Sequence, residues 1–202
     1  MINEPDPIRQ DYAAEDVRAR DEKDLVRQAQ SGNADAFAEI YEEYFDKVYR
    51  YTFYRVANRT EAEDLTQQVF LKAIQSISSF KWRGVPFSAW IFRIARNQVI
   101  DYQRKASKMK TSTLDPEITA SGSDPVSIAE RSMDIRWINN AMTNLSQLQQ
   151  EALSLRFAGE LSTAETAKVM DKSEGAVKAL QHSALATLRK ILHEEESHSR
   201  EV

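Results

Sequence analysis

Apolar side chains recur with helical spacing along most of this 202-residue chain. In the first half they fall at positions i, i+3, i+4 and i+7, which is typical of helices that bury one face. The first such stripe comprises Phe37, Ile40, Tyr41, Tyr44, Phe45, Val48, Thr52 and Phe53, and the second Leu65, Val69, Ala73, Ile74 and Ile77. A third helix is expected from about Phe87 to Lys105, with Pro86 in its first turn, where proline is tolerated.

The pattern resumes in the second half of the chain. One stripe there comprises Ile135, Ile138, Met142, Leu145, Leu148, Ala152 and Leu155, and a last one Val177, Leu180, Leu185, Leu188 and Leu192. Helix starts are predicted by capping boxes at Thr60–Glu63 and Ser162–Glu165, and by Ser173 as an N-cap. Gly159 is expected to cap a helix C-terminus.

Between the two halves the helical pattern stops. Residues 107–134 contain Asp-Pro turns and a Ser-Gly-Ser cluster, and they are too numerous for an ordinary loop, so we interpret them as a flexible linker. The sequence thus predicts an all-α protein of two small helical domains, at 23–106 and 135–193. An acidic extension precedes them at 1–22, and a tail follows at 194–202.

Composition excludes several functional classes. Because there is no cysteine, a disulfide scaffold, a thiolate metal site and a cysteine nucleophile are all excluded. The three histidines lack metal-ligand spacing, and no glycine-rich phosphate loop is present, so we expect no metal, no cofactor and no catalysis. No apolar run is long enough to cross a membrane and the N-terminus lacks an apolar leader, which favours a cytoplasmic protein without membrane insertion.

The net charge of −4 conceals a strongly basic stretch. Residues 81–110 carry eight cationic side chains and one carboxylate, a net charge of +7 between acidic flanks. Such a cluster is the electrostatic signature of a protein that binds a polyanion.

Aromatic side chains interleave with these cations. A basic groove beside exposed rings suits single-stranded nucleic acid, because cations neutralise phosphates while unstacked bases lie on the rings. On the predicted helix, Arg93, Asn97 and Arg104 can share a face. The alternative is that the rings form core and the cations only solvate a surface. We favour core for Phe87 and Trp90, and function for Trp82.

The second domain has the pattern of a helix-turn-helix. A capped helix from Ser162 is followed by a short turn at Asp171 and Lys172 and by a second helix after Ser173. The N-terminal residues of such a helix can read bases in a DNA major groove. A helical hairpin that serves only packing remains the alternative.

Three ordered blocks resemble the extracytoplasmic-function (ECF) sigma factors, the small two-domain group of bacterial RNA polymerase sigma subunits. The blocks are Ala62–Lys72, then Phe87–Asn97 continuing to Asp101 and Arg104, and finally Leu155–Phe157 with Leu161, Ser162 and Ser173–Lys178. The resemblance covers about residues 22–193.

The resemblance implies three binding faces. Core polymerase, with its β′ and β subunits, would be bound by Asp64, Leu65, Gln67, Gln68 and Phe70. The minus-ten promoter element would be recognised and melted by Lys81, Trp82, Arg83, Trp90, Arg93, Arg96, Asn97 and Arg104. The minus-thirty-five element would be read by Lys172, Ser173, Glu174, Gly175, Lys178, Gln181 and His182. The resemblance also implies an anti-sigma protein as a partner.

Three positions depart from the family pattern. Leu180 and Ser183 stand where the family usually has arginine, and Leu145-Ser146 stands where it commonly has Leu-Pro. A stand-alone helix-turn-helix regulator is the alternative function, although it would need neither the docking block nor the melting segment. Because the linker is long, we expect the free protein not to hold its two domains at a fixed spacing.

Overall fold

The computed structural model describes residues 22–82, 84–112 and 140–199, and no strand occurs among them. The all-α fold class is confirmed. The longer helices are α1 (22–30), α2 (Ala34–Val56), α3 (Arg59–Ser76), α4 (Phe87–Ser112), α5 (Gln147–Leu153), α6 (Thr163–Met170) and α7 (Glu174–Ser199), and a helical stretch at 140–143 precedes α5. A 3₁₀ turn at Ile77–Ser79 follows α3, and a wide π-helical turn at Ser154–Ala158 extends α5.

Helix α4 is longer than the sequence pattern predicts. It continues to Ser112, six residues into the segment interpreted as linker. The remainder of that segment, the extension up to residue 21, and Ile135 and Ile138 lie outside the described residues. Pro86 precedes the helix, and its carbonyl accepts the first backbone hydrogen bond, from Trp90, at 3.2 Å.

The predicted capping box at Thr60 is wrong, because α3 begins one residue before it. Asn58 has extended backbone, and its side-chain oxygen accepts a hydrogen bond from the backbone N–H of Glu61 at 3.1 Å. Asn33 caps α2 in the same way. Asparagine and threonine both serve as N-caps, so two candidates two residues apart cannot be ranked by residue type alone.

The caps predicted in the second half are confirmed. Ser162 and Glu165 form a reciprocal capping box on α6, and the Ser173 hydroxyl accepts a hydrogen bond from the backbone N–H of Ala176 at 3.2 Å to start α7. Between them Asp171 adopts the left-handed conformation, with φ of 54°. Ser146, at the position where proline is common in the family, forms a further capping box with Gln149 on α5.

One core joins the first three long helices. Val48 and Tyr51 of α2, Val69 of α3, and Phe87 and Phe92 of α4 are almost completely buried. A hydroxyl pair lies among them, since Thr52 Oγ1 and Thr66 Oγ1 are 3.0 Å apart and both residues are fully buried. Ile74, which the stripe places in this core, is instead 52% exposed.

The same core continues into the second half of the chain. Leu155, Leu161, Ala167 and Val169 belong to the buried cluster that contains Phe92. Here α6 packs on α4, and the π-helical turn packs on α2. The two halves therefore lie against each other at a defined spacing, contrary to our expectation, because each presents an apolar face that the other covers.

Gly159 lies close to Phe92 of the first half. Its N–H donates a hydrogen bond to the Ser154 carbonyl at 2.9 Å, as expected at a helix end, and its φ of −81° is ordinary. A methyl group added at Gly159 would come within 2.8 Å of Phe92 Cε1 and 2.9 Å of the Leu155 carbonyl oxygen. The position requires glycine for close packing rather than for backbone conformation.

Replacing Asn58 by alanine should lower the free energy of unfolding by about 1 kcal/mol, because the Glu61 N–H loses its partner. Urea unfolding followed by circular dichroism measures this loss. Thr60→Ala is the matched control and should change stability by less than about 0.5 kcal/mol. A larger loss at Thr60 than at Asn58 would contradict the observed helix start.

Candidate nucleic-acid interface

The cationic side chains of α4 occupy two different environments. Arg93, Asn97 and Arg104 are exposed, and Arg104 lies at a long distance, 3.9 Å, from Asp101. Arg96 is half-buried and forms an ion pair with Glu151 of α5. The helix therefore brings the predicted cations to one side of the molecule, where the second half covers part of them.

The aromatic loop before α4 is held in place by hydrogen bonds from α1. The side-chain amide of Gln30 donates hydrogen bonds to the carbonyls of Ile77 and Phe80, at 2.9 and 2.8 Å. Sequence reasoning missed Gln30, which lies 47 residues before its first partner and carries no motif. This anchor fixes the start of the loop on which Lys81 and Trp82 stand.

The rings of this loop form a cluster around Phe80. Trp82 lies 5.1 Å from Phe80 between ring centroids, and Trp90 lies 5.3 Å from the same ring. Phe87 is fully buried and Trp90 half-buried, which agrees with a core role. Trp82 is half-buried too, so it is less free than we expected, yet its indole N–H is buried without a hydrogen-bond partner in the described structure. Lys81 is exposed, and Arg83 lies outside the described residues.

A recess separates α4 from the helix-turn-helix. Its volume is about 340 Å³, and its walls are Arg93, Arg96 and Asn97 from α4, with Val169 and Asp171 from the end of α6. The Arg93 guanidinium crosses this recess and donates two hydrogen bonds to the Lys168 carbonyl, at 2.7 and 3.2 Å. The predicted strand-binding face is thus in direct contact with the second half.

The helix-turn-helix presents its predicted DNA-reading residues to solvent. Six are exposed and Gln181 is half-buried; the exposed ones are Lys172, Ser173, Glu174, Gly175, Lys178 and His182. Leu180 and Ser183, the two departures from the family pattern, have structural partners instead. Leu180 packs against the core, and the Ser183 hydroxyl accepts a hydrogen bond from the Gln149 side chain at 2.9 Å.

On α3 the predicted polymerase-binding residues divide between surface and core. Asp64, Gln67 and Gln68 are exposed. Leu65 and Phe70 are 5% and 4% exposed, so their assignment to a docking surface needs correction: they hold the helix against the core, as its 3.6-residue period dictates.

Two apolar side chains on α3 are exposed, although the sequence analysis did not predict them to lie at the surface. They are Leu71, at 59%, and Ile74. A groove of about 460 Å³ runs between α3 and α4, and Asp64, Gln68 and Leu71 contribute to its walls. Within it, Gln98 donates a hydrogen bond to Gln68 at 3.0 Å.

Comparison with known proteins identifies the family. Residues 40–109 match Sigma-70 region 2, and residues 141–190 match Sigma-70 region 4. The chain is 33% identical over 177 residues to the ECF RNA polymerase sigma factor ShbA of Streptomyces griseus, covering 83% of this chain and 93% of that protein. This chain belongs to the ECF RNA polymerase sigma factors.

Other relatives agree with this assignment. The ECF sigma factor BldN of Streptomyces coelicolor is 41% identical over 172 residues, which are 84% of this chain and 65% of that protein, just under two thirds of its length. SigW of Bacillus subtilis is 30% identical, with 85% of this sigma factor and 97% of SigW aligned. The stand-alone regulator is thereby excluded as the family of this chain.

Solved structures share the fold. The sigma factor fits CnrH, in a complex with the cytosolic domain of CnrY, with a TM-score of 0.67 and 23% identity, covering 86% of this chain and 97% of CnrH. It fits RpoE of Bartonella quintana, in a complex with the anti-sigma factor NepR, with a TM-score of 0.66 and 24% identity. The match covers 78% of this chain and 96% of RpoE.

Two general features of the sigma factor concern metals and membranes. Within 22–82, 84–112 and 140–199, no group of three histidine or carboxylate side chains is placed to hold a metal ion. No helix in the same ranges has both the length and the apolar character that a bilayer crossing requires.

Two carboxylates near the boundary between the halves have shifted pKa values. Burial raises the pKa of Glu22, although the Tyr44 hydroxyl donates a hydrogen bond to it. For Glu165, burial acts in the same upward direction, but hydrogen bonds from Ser162 and Ser88, with the charge of Lys168, outweigh it and hold the pKa below 4.5.

The Glu165 contacts should make the sigma factor less stable in acid. Because its pKa is lower in the folded state than in the unfolded chain, its stabilisation is complete above about pH 4.5 and is lost as the pH falls through the folded-state pKa. Urea unfolding between pH 3 and 6 should show a shallower acid loss in Glu165→Gln than in the wild type. The variant should also lose about 1 kcal/mol at pH 7 through its weakened cap.

Glu42→Gln, at an exposed position of α2, serves as the control for Glu165→Gln. It should retain the wild-type pH dependence. Identical acid slopes for Glu165→Gln and the wild type would contradict the assigned ionisation of Glu165.

Proposed function

We propose that the chain directs transcription initiation through three separate faces. One lies on α3 and binds core polymerase, one on α4 and its preceding loop holds the melted minus-ten strand, and one at the start of α7 reads the minus-thirty-five element. This proposal is supported above all by the cationic side chains on one side of α4, which lie beside a cluster of aromatic rings. The same chain exposes a capped helix-turn-helix.

The polymerase-binding face consists of Asp64, Gln67 and Gln68. Their side chains extend from a helix whose opposite side is buried, so the backbone behind them is rigid. The exposed Leu71 and Ile74 add apolar area on the same helix. Apolar contacts bordered by polar groups are the usual composition of a protein interface, and we propose that β′ and β of the polymerase supply the counterpart of this face.

The strand-binding face combines charge and stacking. Arg93, Arg96 and Arg104, with Asn97, are positioned for phosphates and base edges, and Lys81 and Trp82 stand at the end of the helix from which the strand would enter. We propose that a base of the bound strand contacts the half-buried Trp82 ring. Extruding a base costs a few kcal/mol, and stacking at about 1–3 kcal/mol per base can offset that cost.

The face at the start of α7, which we call the duplex-reading face, carries few cationic side chains. Lys172 and Lys178 supply its cations, and Ser173, Glu174 and Gly175 form the first turn of α7, where contacts with base edges are made in this motif. Leu180 packs against the core and cannot contact a phosphate. We therefore propose that the protein makes few phosphate contacts with the minus-thirty-five element, and that its affinity for this element depends only weakly on salt concentration.

The domain division and the partners belong to the same proposal. We assign 23–106 to region two and 135–193 to region four, with the linker at 107–134 allowing their separation in the holoenzyme. An extended segment from 113 to 139 can span up to about 90 Å. CnrH and RpoE form complexes with CnrY and with the anti-sigma factor NepR, and we propose that an anti-sigma protein likewise regulates this chain, which acts on polymerase in the cytoplasm without catalysis or cofactor.

Reversing the charge of Asp64 should weaken assembly with core polymerase. Asp64→Arg should raise the dissociation constant about tenfold, because the buried side of α3 is unaltered while a charged contact becomes repulsive. Fluorescence anisotropy with purified core polymerase measures the constant. Glu42→Arg makes the same charge change on α2 and should assemble normally; equal weakening by both variants would count against the α3 face.

Removing the Asn97 side chain should impair promoter opening rather than assembly. Because Asn97 is exposed on α4, Asn97→Ala should fold normally and reduce open-complex formation about tenfold, the effect expected for one lost base contact. Asn144→Ala is the matched control outside the three faces. Equal losses in core binding and in opening by Asn97→Ala would mean that the residue does not act on DNA.

A further inference from the structure

Gln30, the last residue of α1, connects this helix to the loop before α4. Its side-chain amide nitrogen donates one hydrogen bond to the Ile77 carbonyl and another to the Phe80 carbonyl, at 2.9 and 2.8 Å. These carbonyls lie at the 3₁₀ turn Ile77–Ser79 and at the residue that follows it. Both hydrogens of the amide are therefore used to hold the point where the loop begins.

Helix α1 is itself held firmly, so Gln30 has a fixed support. Val26 is fully buried in the core. At the start of the helix, Glu22 accepts a hydrogen bond from the Tyr44 hydroxyl of α2. After Gln30, residues 31–33 lead directly into α2. The amide is thus presented to the loop by a helix that is anchored at both ends.

The loop before α4 has little regular structure that could fix its path. The described residues between Phe80 and Pro86 form neither a helix nor a strand. The Phe80 carbonyl belongs to the planar peptide unit that leads to Lys81, so a hydrogen bond to this oxygen fixes the direction of the chain there. Gln30 consequently sets the orientation in which Lys81 and Trp82 leave the core.

The other end of the loop is held by the second half of the chain. There Lys168 of α6 donates a hydrogen bond to the Gly84 carbonyl. Gln30 lies in the same half as the loop, so its two hydrogen bonds do not depend on the position of α6. They would persist in a holoenzyme in which the linker lets the two regions separate.

We propose that Gln30 is a positioning residue for minus-ten recognition: it orders the loop before α4 so that Lys81 and Trp82 can discriminate between base sequences, without contacting the strand itself. This inference rests on the strand-binding role proposed above for the loop and α4. It assigns to α1 a part in promoter selectivity.

An unanchored loop should weaken base discrimination but not phosphate binding. When the loop has to become ordered on contact with a preferred base, the cost of ordering it is subtracted from that contact. A strand without preferred bases makes no such contact and does not incur this cost. The proposed phosphate contacts of Arg93 and Arg104 come from α4, a regular helix, so the salt dependence of binding should stay the same.

Selection from a random pool measures this discrimination. Holoenzyme, assembled from core polymerase and the full chain, is mixed with duplex DNA that carries a random ten-nucleotide single-stranded overhang, and the bound DNA is sequenced. We expect the wild type to enrich a defined set of overhangs. Gln30→Ala should reduce this enrichment about tenfold, the effect of one or two lost hydrogen bonds, and should bind the unselected pool with wild-type affinity and salt dependence.

Two further variants separate positioning from general stability. Gln28→Ala, on the same helix, is the matched control, because the Gln28 side chain is exposed and accepts a hydrogen bond from Asn33 at 3.2 Å. Gln30→Lys keeps hydrogen-bond donors for both carbonyls. Both variants should retain the wild-type enrichment. Since enrichment compares sequences bound by the same preparation, a smaller folded fraction does not alter it.

Fluorine NMR observes the loop directly. The chain contains three tryptophans, so 5-fluorotryptophan gives few resonances, and Trp82→Phe assigns the one from the loop. In the free protein, Gln30→Ala should broaden or shift the Trp82 resonance, whereas Gln28→Ala should not.

The outcomes distinguish this inference from the function on which it rests. Lower enrichment by Gln30→Ala alone, with an altered Trp82 resonance, supports the positioning role. Wild-type enrichment by Gln30→Ala, an equal loss in Gln28→Ala, or an unchanged Trp82 resonance would overturn it while the strand-binding role stands. If the wild-type holoenzyme enriches no overhang, the strand-binding role is wrong and the inference fails with it.

Discussion

The burial of α4 on two sides is the constraint on which the rest of the structure depends. Phe87 and Phe92 face the core formed with α2 and α3, while Phe92 also reaches Gly159 in the second half. The remaining strip of the helix, which includes Arg93, Asn97 and Arg104, is exposed to solvent. This packing determines the positions of the α4 cations, of the loop before the helix and of the helix-turn-helix.

The sequence was sufficient for features that depend on local chemistry. Helical periodicity predicted the all-α class, and the Ser162 and Ser173 caps predicted the helix-turn-helix, because both signals are contained within a few residues. The charge of +7 over residues 81–110 is likewise a local signal, and it is the reason for which we propose strand binding there. Asn58 shows where local reasoning fails, since two adequate caps stood close together and packing decided between them.

The features that the sequence could not predict depend on distant contacts. Periodicity shows that a helix has an apolar side, but it does not show which other helix covers that side. Leu65 and Ile74 illustrate this: both fall on the apolar stripe of α3, yet one is buried and the other exposed, because neighbouring helices cover only part of the stripe. The contact between the halves and the pairing of Arg96 with Glu151 have the same origin.

We expect this chain to open promoter DNA only together with core polymerase. Permanganate reactivity of thymines, on a promoter fragment identified by sequencing transcripts after induced expression, measures strand opening directly. The account predicts reactive thymines near the minus-ten element only when the chain and core polymerase are both present. Protection of duplex DNA by the chain alone, with no reactive thymines after core polymerase is added, would contradict it.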